Sequence, residues 1–171
     1  PTKWDEALVA LTNLLTTWQG SGQIDFGFDV FPDFECAEST DMFCCDVTHD
    51  VVSDSAPDNE GSIIKILNSA AAPTSQMDTP LCSGMDSFNI AAYAQNFTQS
   101  EGEKYLLVVS DGQEECNGTD FPETCGDWPD YPGAVAVVTE LLGNGIKTIV
   151  IGFGSGVDPD QLNVIAENGG T

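Results

Sequence analysis

"KYLLVVSDGQEEC", residues 104–116, decides how this chain is read. Five apolar positions, Tyr105 to Val109, run straight into a polar turn, Ser110-Asp111-Gly112, and an acidic cluster closed by a cysteine. A fully apolar run of this length bounded by turn residues is a strand buried on both faces, as in a parallel sheet. "IKTIVIGF", residues 146–153, is a second such run. Between the two, Pro132 opens a helix through Leu142 that Gly143 and Gly145 end. Strand, helix, strand in that order implies parallel strands with a helical crossover, in a doubly wound α/β sheet with helices on both faces. Ligands of such sheets bind beyond the carboxyl ends of the strands. Asp111 stands at such an end, over a core that solvates it poorly, so its carboxylate needs a turn, a capped helix or a cation. Local sequence leaves two readings open: a cation-facing acid, or an ordinary Asp-Gly turn with Gly112 at positive φ.

The rest of the chain alternates in the same way. Thr2 with Asp5 forms a capping box for an amphipathic helix carried by Trp4, Leu8, Leu11, Leu15 and Trp18 and stopped by Gly20 and Gly22. Ile24, Phe26, Phe28 and Val30 alternate with polar residues up to Pro32, which is strand periodicity. Residues 33–58 read as a cysteine-bearing loop with a short strand near Val47 to Val52. Asn59 to Asn68 and Ser83 to Asn96 read as helices, and Asp158-Pro159 caps a last helix ending near Asn168-Gly169.

Composition sets the limits. With 171 residues, 41% of them hydrophobic, the chain suits one domain, 1–171, with a real core. Twenty-eight acids face four lysines and no arginine, for a formal net charge of -24. Such a surface repels phosphate backbones and anionic membranes, and favours divalent cations and basic surfaces. Six cysteines, Cys36, Cys44, Cys45, Cys82, Cys116 and Cys125, include no C-x-x-C pair and accompany a single histidine, His49. Disulfides fit that pattern better than zinc, and they place the chain outside the cytoplasm, extracellular or at a cell surface. Cys116 with Cys125 closes a short loop, leaving the other four to tie the middle of the chain. No run of about 18 apolar residues is present, so no membrane insertion is expected.

Taken together, these segments resemble a von Willebrand factor type A domain, the fold of the integrin inserted domain. "YLLVVSDGQEE" is similar to the family's fourth strand and its T/S-D-G turn. "GIKTIVIGFGSGVDPDQLNVIAENGGT" is similar to the fifth strand, its loop and the next helix, and "DTPLCSGM" to the threonine segment that opens the third helix. "KWDEALVALTNLL" and "IDFGFDVFP" resemble the first helix and second strand. The resemblance implies a metal-ion-dependent adhesion site in which Thr79 and Asp111 hold Mg²⁺, Mn²⁺ or Ca²⁺, hard cations that take oxygen ligands. Thr79 would act through its hydroxyl and Asp111 directly or through water, with an acidic group of the partner completing the shell. Asp78, Gly112, Gln113 and Glu114 would form the rim, flanked by the cysteine loops 33–58 and 113–131. A helix-capping role for Thr79 stands as the alternative. The family's first strand with its D-x-S-x-S motif, and its last strand and helix, have no counterpart in the sequence. A strand is therefore expected to fill the centre of the sheet, from residues upstream of Pro1 or from a neighbouring subunit.

The implied function is an adhesion or protein-interaction module for a macromolecular ligand. The alternative is a subunit of a surface filament or layer that packs against its own copies. No catalytic residue is expected, since His49 has no nucleophile beside it. "GFGSG", 152–156, lacks the lysine of a phosphate loop. The sequons at Asn96 and Asn117 are short matches that matter only in a glycosylating host. Mapping the unreduced protein by mass spectrometry should find all six cysteines oxidised and a peptide pair linked through Cys116 and Cys125; free thiols at both would overturn the assignment.

Overall fold

The opening helix begins where its capping box says it should. In the computed structural model, which describes residues 2–31, 51–69, 79–89, 94–112 and 132–171, α1 spans Lys3–Trp18. Thr2 Oγ1 accepts the Asp5 amide at 3.1 Å, and Asp5 Oδ2 accepts the Thr2 amide at 2.7 Å. Those two bonds satisfy orphan donors at the helix start and hold the Asp5 carboxyl below its usual range, the Thr2 backbone N–H contributing most. Gly20 and Gly22, both at positive φ, end the run.

β1 (Phe26–Phe28) pairs antiparallel with β2 (Ser53–Ala56). The first strand is shorter than the Ile24 to Val30 alternation predicts. The second falls after the Val47 to Val52 segment and inside the stretch read as loop. Ser53, Asp54 and Ser55 carry no apolar alternation, so no periodicity announces that strand. α2 (Glu60–Ser69) follows, and Asn59 Nδ2 ties its start to the sheet by donating to Phe26 O, Ser53 Oγ and Asp54 O. Leu15, Ile63 and Leu67 form a small core between α1 and α2, with Leu8, Leu11, Phe26 and Phe28 packed on it.

The stretch Ser83 to Asn96 is not one helix. α3 (Leu81–Asp86) passes into a 3₁₀ turn, Ser87–Asn89, and a separate α4 covers Gln95–Gln99. Asp54 supplies the cap that α4 lacks locally, accepting the amides of Asn96 at 2.6 Å and Phe97 at 3.1 Å.

β3 (Lys104–Ser110) and β4 (Ile146–Gly152) pair in parallel over their full length, joined through α5 (Pro132–Gly143), and α6 (Pro159–Asn168) returns onto β4. The Asp158 side chain caps α6 by accepting the amides of Asp160 and Gln161. One face of the pair, Leu106, Val108, Ile146 and Thr148, is buried with Leu81, Met85, Val137, Val138, Leu141, Leu162 and Ile165. The opposite face exposes Tyr105, Leu107, Ile149 and Ile151.

The architecture is mixed α/β with a parallel βαβ unit, and the described residues do not by themselves make up the doubly wound sheet that the sequence suggests. Among the described residues there are two separate two-stranded sheets, β1-β2 and β3-β4. The strand holding Phe26 and the strand holding Tyr105 are not paired with each other. Among the described residues, helices cover one face of β3-β4 and none covers the other. Parallel pairing needs only the apolar register seen here, whereas joining the two sheets needs a strand that the described residues do not supply.

Truncating the fully buried Leu141 to alanine should cost about 2–5 kcal/mol. Ile151→Ala, at a side chain 48% exposed, should cost less than about 1 kcal/mol. Urea unfolding midpoints of the two variants against the parent check the difference.

Candidate cation site at the strand end

The turn that ends β3 is built by Ser110. Its buried hydroxyl accepts the Gly112 amide at 3.3 Å and donates to Gly112 O at 3.2 Å, which folds the chain back on itself. The Ser110 carbonyl accepts the Phe153 amide at 3.0 Å, extending the parallel ladder one residue past β4. Asp111 is thus pushed outward, exposed, between two strand ends.

Three other segments meet it. Thr79 lies directly behind the turn: a Cβ placed on Gly112 would come within 2.5 Å of Thr79 Oγ1. Gly112 is not among the residues at positive φ, so the close approach of Thr79, rather than turn geometry, is what demands a glycine there. Thr79 does not cap α3 either. The N-cap is Pro80 and no side chain caps that helix, while Thr79 O accepts the Leu81 amide at 3.1 Å. Its hydroxyl is therefore left facing the Asp111-Gly112 turn.

The glycine loop after β4 forms the second wall. A Cβ on Gly156 would stand 2.9 Å from the Asp111 carbonyl oxygen. The glycines of "GFGSG" here approach the Lys3 stem and the Asp111 carbonyl.

Lys3 is the third neighbour, and sequence reasoning did not single it out. Its ammonium reaches from the first turn of α1 to Asp111 Oδ2 at 3.2 Å, with both side chains about half exposed, 45% and 51%. Its stem crosses Gly154, which sits at φ +85°; a Cβ there would lie 2.6 Å from Lys3 Cε and 2.8 Å from Nζ. One signal was available. A lysine at a helix N-terminus opposes the helix dipole, an unfavourable choice in a chain with only three other lysines.

Among the expected site residues, Thr79, Asp111 and Gly112 come together. Asp78, Gln113 and Glu114 lie outside the described residues, as do Cys36, Cys44, Cys45, Cys116, Cys125, His49 and Asn117. Cys82 is buried at the start of α3 and is disulfide-bonded. Asn96 is exposed on α4.

A carboxylate and a hydroxyl are hard oxygen donors of the kind Mg²⁺, Mn²⁺ and Ca²⁺ take, and Asp111 already faces a cationic group, the Lys3 ammonium. Among the described residues no three His, Cys, Asp or Glu side chains cluster as a metal group. Two donors would supply only part of the six or more oxygens such an ion takes. Comparison of the chain with protein-family models, with curated proteins and with solved structures found no match.

Gly154→Ala should force the lysine stem aside and strain a left-handed residue, at a cost of about 1–3 kcal/mol. Thermal unfolding should show this as a Tm lowered by several degrees, against no change for Gly143→Ala, where nothing lies within 4 Å of the added Cβ.

Proposed function

We propose that the chain is an adhesion-type interaction module of von Willebrand factor A character that binds a macromolecular ligand through a divalent cation held by Asp111 and Thr79. The observation that carries the reading is the juxtaposition of these residues, far apart in sequence, at the carboxyl end of β3. An acid, and a hydroxyl packed against the glycine that follows it, are the groups that would share a cation with an outside carboxylate. In that arrangement Asp111 supplies charge, Thr79 a neutral oxygen, and the open side of the turn the position for the ligand's acid. The chain's own charge of -24 then favours a partner whose remaining surface is basic. The disulfide at Cys82 supports an oxidising, extracellular setting. No helix among the described residues is long and apolar enough to cross a membrane. Nothing in the reading requires catalysis.

A second reading, a subunit that packs against its own copies in a filament or layer, is favoured by the open apolar face of Tyr105, Leu107, Ile149 and Ile151. Calorimetric titration of Mg²⁺, Mn²⁺ and Ca²⁺ separates the two. The adhesion reading expects one ion to bind the parent and to lose all measurable binding in Asp111→Ala. Absence of binding, together with a sedimentation coefficient that rises with protein concentration, would favour the filament subunit.

A further inference from the structure

We propose that the outer edge of β3 accepts an extended segment of a partner protein, one with alternate apolar residues in its middle and basic residues at its ends. The inference uses main-chain bonds and does not depend on the cation reading above. The Ser110 carbonyl accepts the Phe153 amide, so in this parallel ladder Ser110, and with it Val108 and Leu106, turn their main-chain groups toward β4. The alternate residues Tyr105, Leu107 and Val109 therefore direct their N–H and C=O groups to the opposite edge. β4 follows the same alternation, and its outer edge is in use. Thr148 donates its amide to Gly169 O at 2.9 Å, and its carbonyl accepts Thr171 Oγ1 at 2.6 Å. Among the described residues no such bond reaches the main chain of Tyr105, Leu107 or Val109.

Sheet edges are ordinarily guarded by charge, proline, bulges or short length. Here Tyr105 to Val109 carries no charge and no proline, the seven-residue strand pairs without a slip, and the Lys104 ammonium is bonded to Thr98 O at 2.9 Å. A row of unpaired donors and acceptors specifies its occupant as a strand, and the exposed Tyr105 and Leu107 side chains favour apolar neighbours beside them. Charge selects among strands. Exposed acids stand at both ends, Glu101 and Glu103 before β3 and Asp111 after it, on a chain of net charge -24. The lysines nearby are engaged: Lys104 with Thr98 O, Lys3 with Asp111, and Lys147 with the Tyr105 ring. A second copy of this chain would set acid against acid, whereas a segment with basic ends is drawn in.

Fluorescence anisotropy of a labelled heptapeptide, Lys-Val-Thr-Val-Thr-Val-Lys with blocked termini, titrated with the intact chain in EDTA tests this. Saturable binding is expected, and none by the same peptide N-methylated along its central residues. A peptide with glutamate at both ends should bind at least about fivefold more weakly at low ionic strength, the gap narrowing as salt screens the charge. Leu107→Pro removes one outward N–H and leaves the bonds of Leu106 and Val108 to β4, so it should keep the parent's circular dichroism and lose the peptide. Hydrogen exchange reads the edge without a variant. The amides of Tyr105, Leu107 and Val109 should exchange freely in the chain alone and become protected with peptide, while those of Leu106 and Val108 stay protected throughout. Absence of peptide binding, equal binding of the N-methylated peptide, or retained binding by a folded Leu107→Pro overturns the proposal. Protection of the three outward amides in the chain alone overturns it too, in favour of a second copy where the chain sediments as a dimer.

Discussion

Everything at the site depends on the parallel register of β3 on β4. Lys104 pairs with Ile146 and Ser110 with Gly152, without slip, so both strands end at the same level. A one-residue shift would turn Leu106 and Val108 out of the core and send the apolar residues of the other face inward. It would also separate Ser110 O from the Phe153 amide, the bond that brings the glycine loop beside Asp111. Among the described residues, the register is fixed by burial on one side. Leu106, Val108, Ile146 and Thr148 interlock with α5 and α6, whereas Leu107 and Ile149 have water for company.

The described residues hold two apolar cores rather than one, a larger core around β3, β4, α3, α5 and α6, and a smaller one between α1 and α2. The ties across them are mostly polar or small. Asp54 of β2 caps α4, whose Phe97 packs edge-on against Phe88 and so joins the larger core. Phe31 reaches Gly84 of α3 so closely that a Cβ there would sit 2.9 Å from its ring. Lys3 spans from α1 to Asp111. Bonds of this kind orient the parts but bury little apolar area, so most of the stability rests on the larger core.

Elements with strong apolar periodicity were legible in the sequence, because burial alone specifies them. α1 with its capping box, β3, α5, β4, and α6 with its Asp158 cap lie within a residue or so of expectation. β2 was not legible, since its residues are polar and its pairing is specified by Asp29 and Asn59 side chains from elsewhere. The break after Asp86 was not legible either. Asn89 Nδ2 bonding back to Asp86 and Ser87 Oγ bonding to Ser83 O are side-chain competitions with the helix, and they carry no periodic trace. At the site, Asp111 and Thr79 were visible as residue types in a motif. Lys3 showed only as a lysine set against its helix dipole; its partner lies across the fold, and no local rule connects the two.

The scarcity of cations makes their placement informative. In a chain with 28 acids, a lysine finds negative charge almost anywhere, so acid excess alone cannot decide where it sits. Yet Lys104 spends its ammonium on a backbone carbonyl, that of Thr98, at 2.9 Å, fastening the C-terminal end of α4 to the start of β3. Lys147 stands 5.4 Å from the centre of the Tyr105 ring, while the Tyr105 hydroxyl donates to Glu103 at 2.6 Å. That hydroxyl first, and Lys147 second, hold the Glu103 carboxyl below its ordinary range. The contribution is present above the unfolded carboxyl's titration and fades as pH falls through the lowered one. Both lysines work at the start of the β3-β4 pair, and Lys3 works at its end. Three of the four lysines thus stand along one strand pair, the element that sets the register, and the fourth, Lys65, lies on α2.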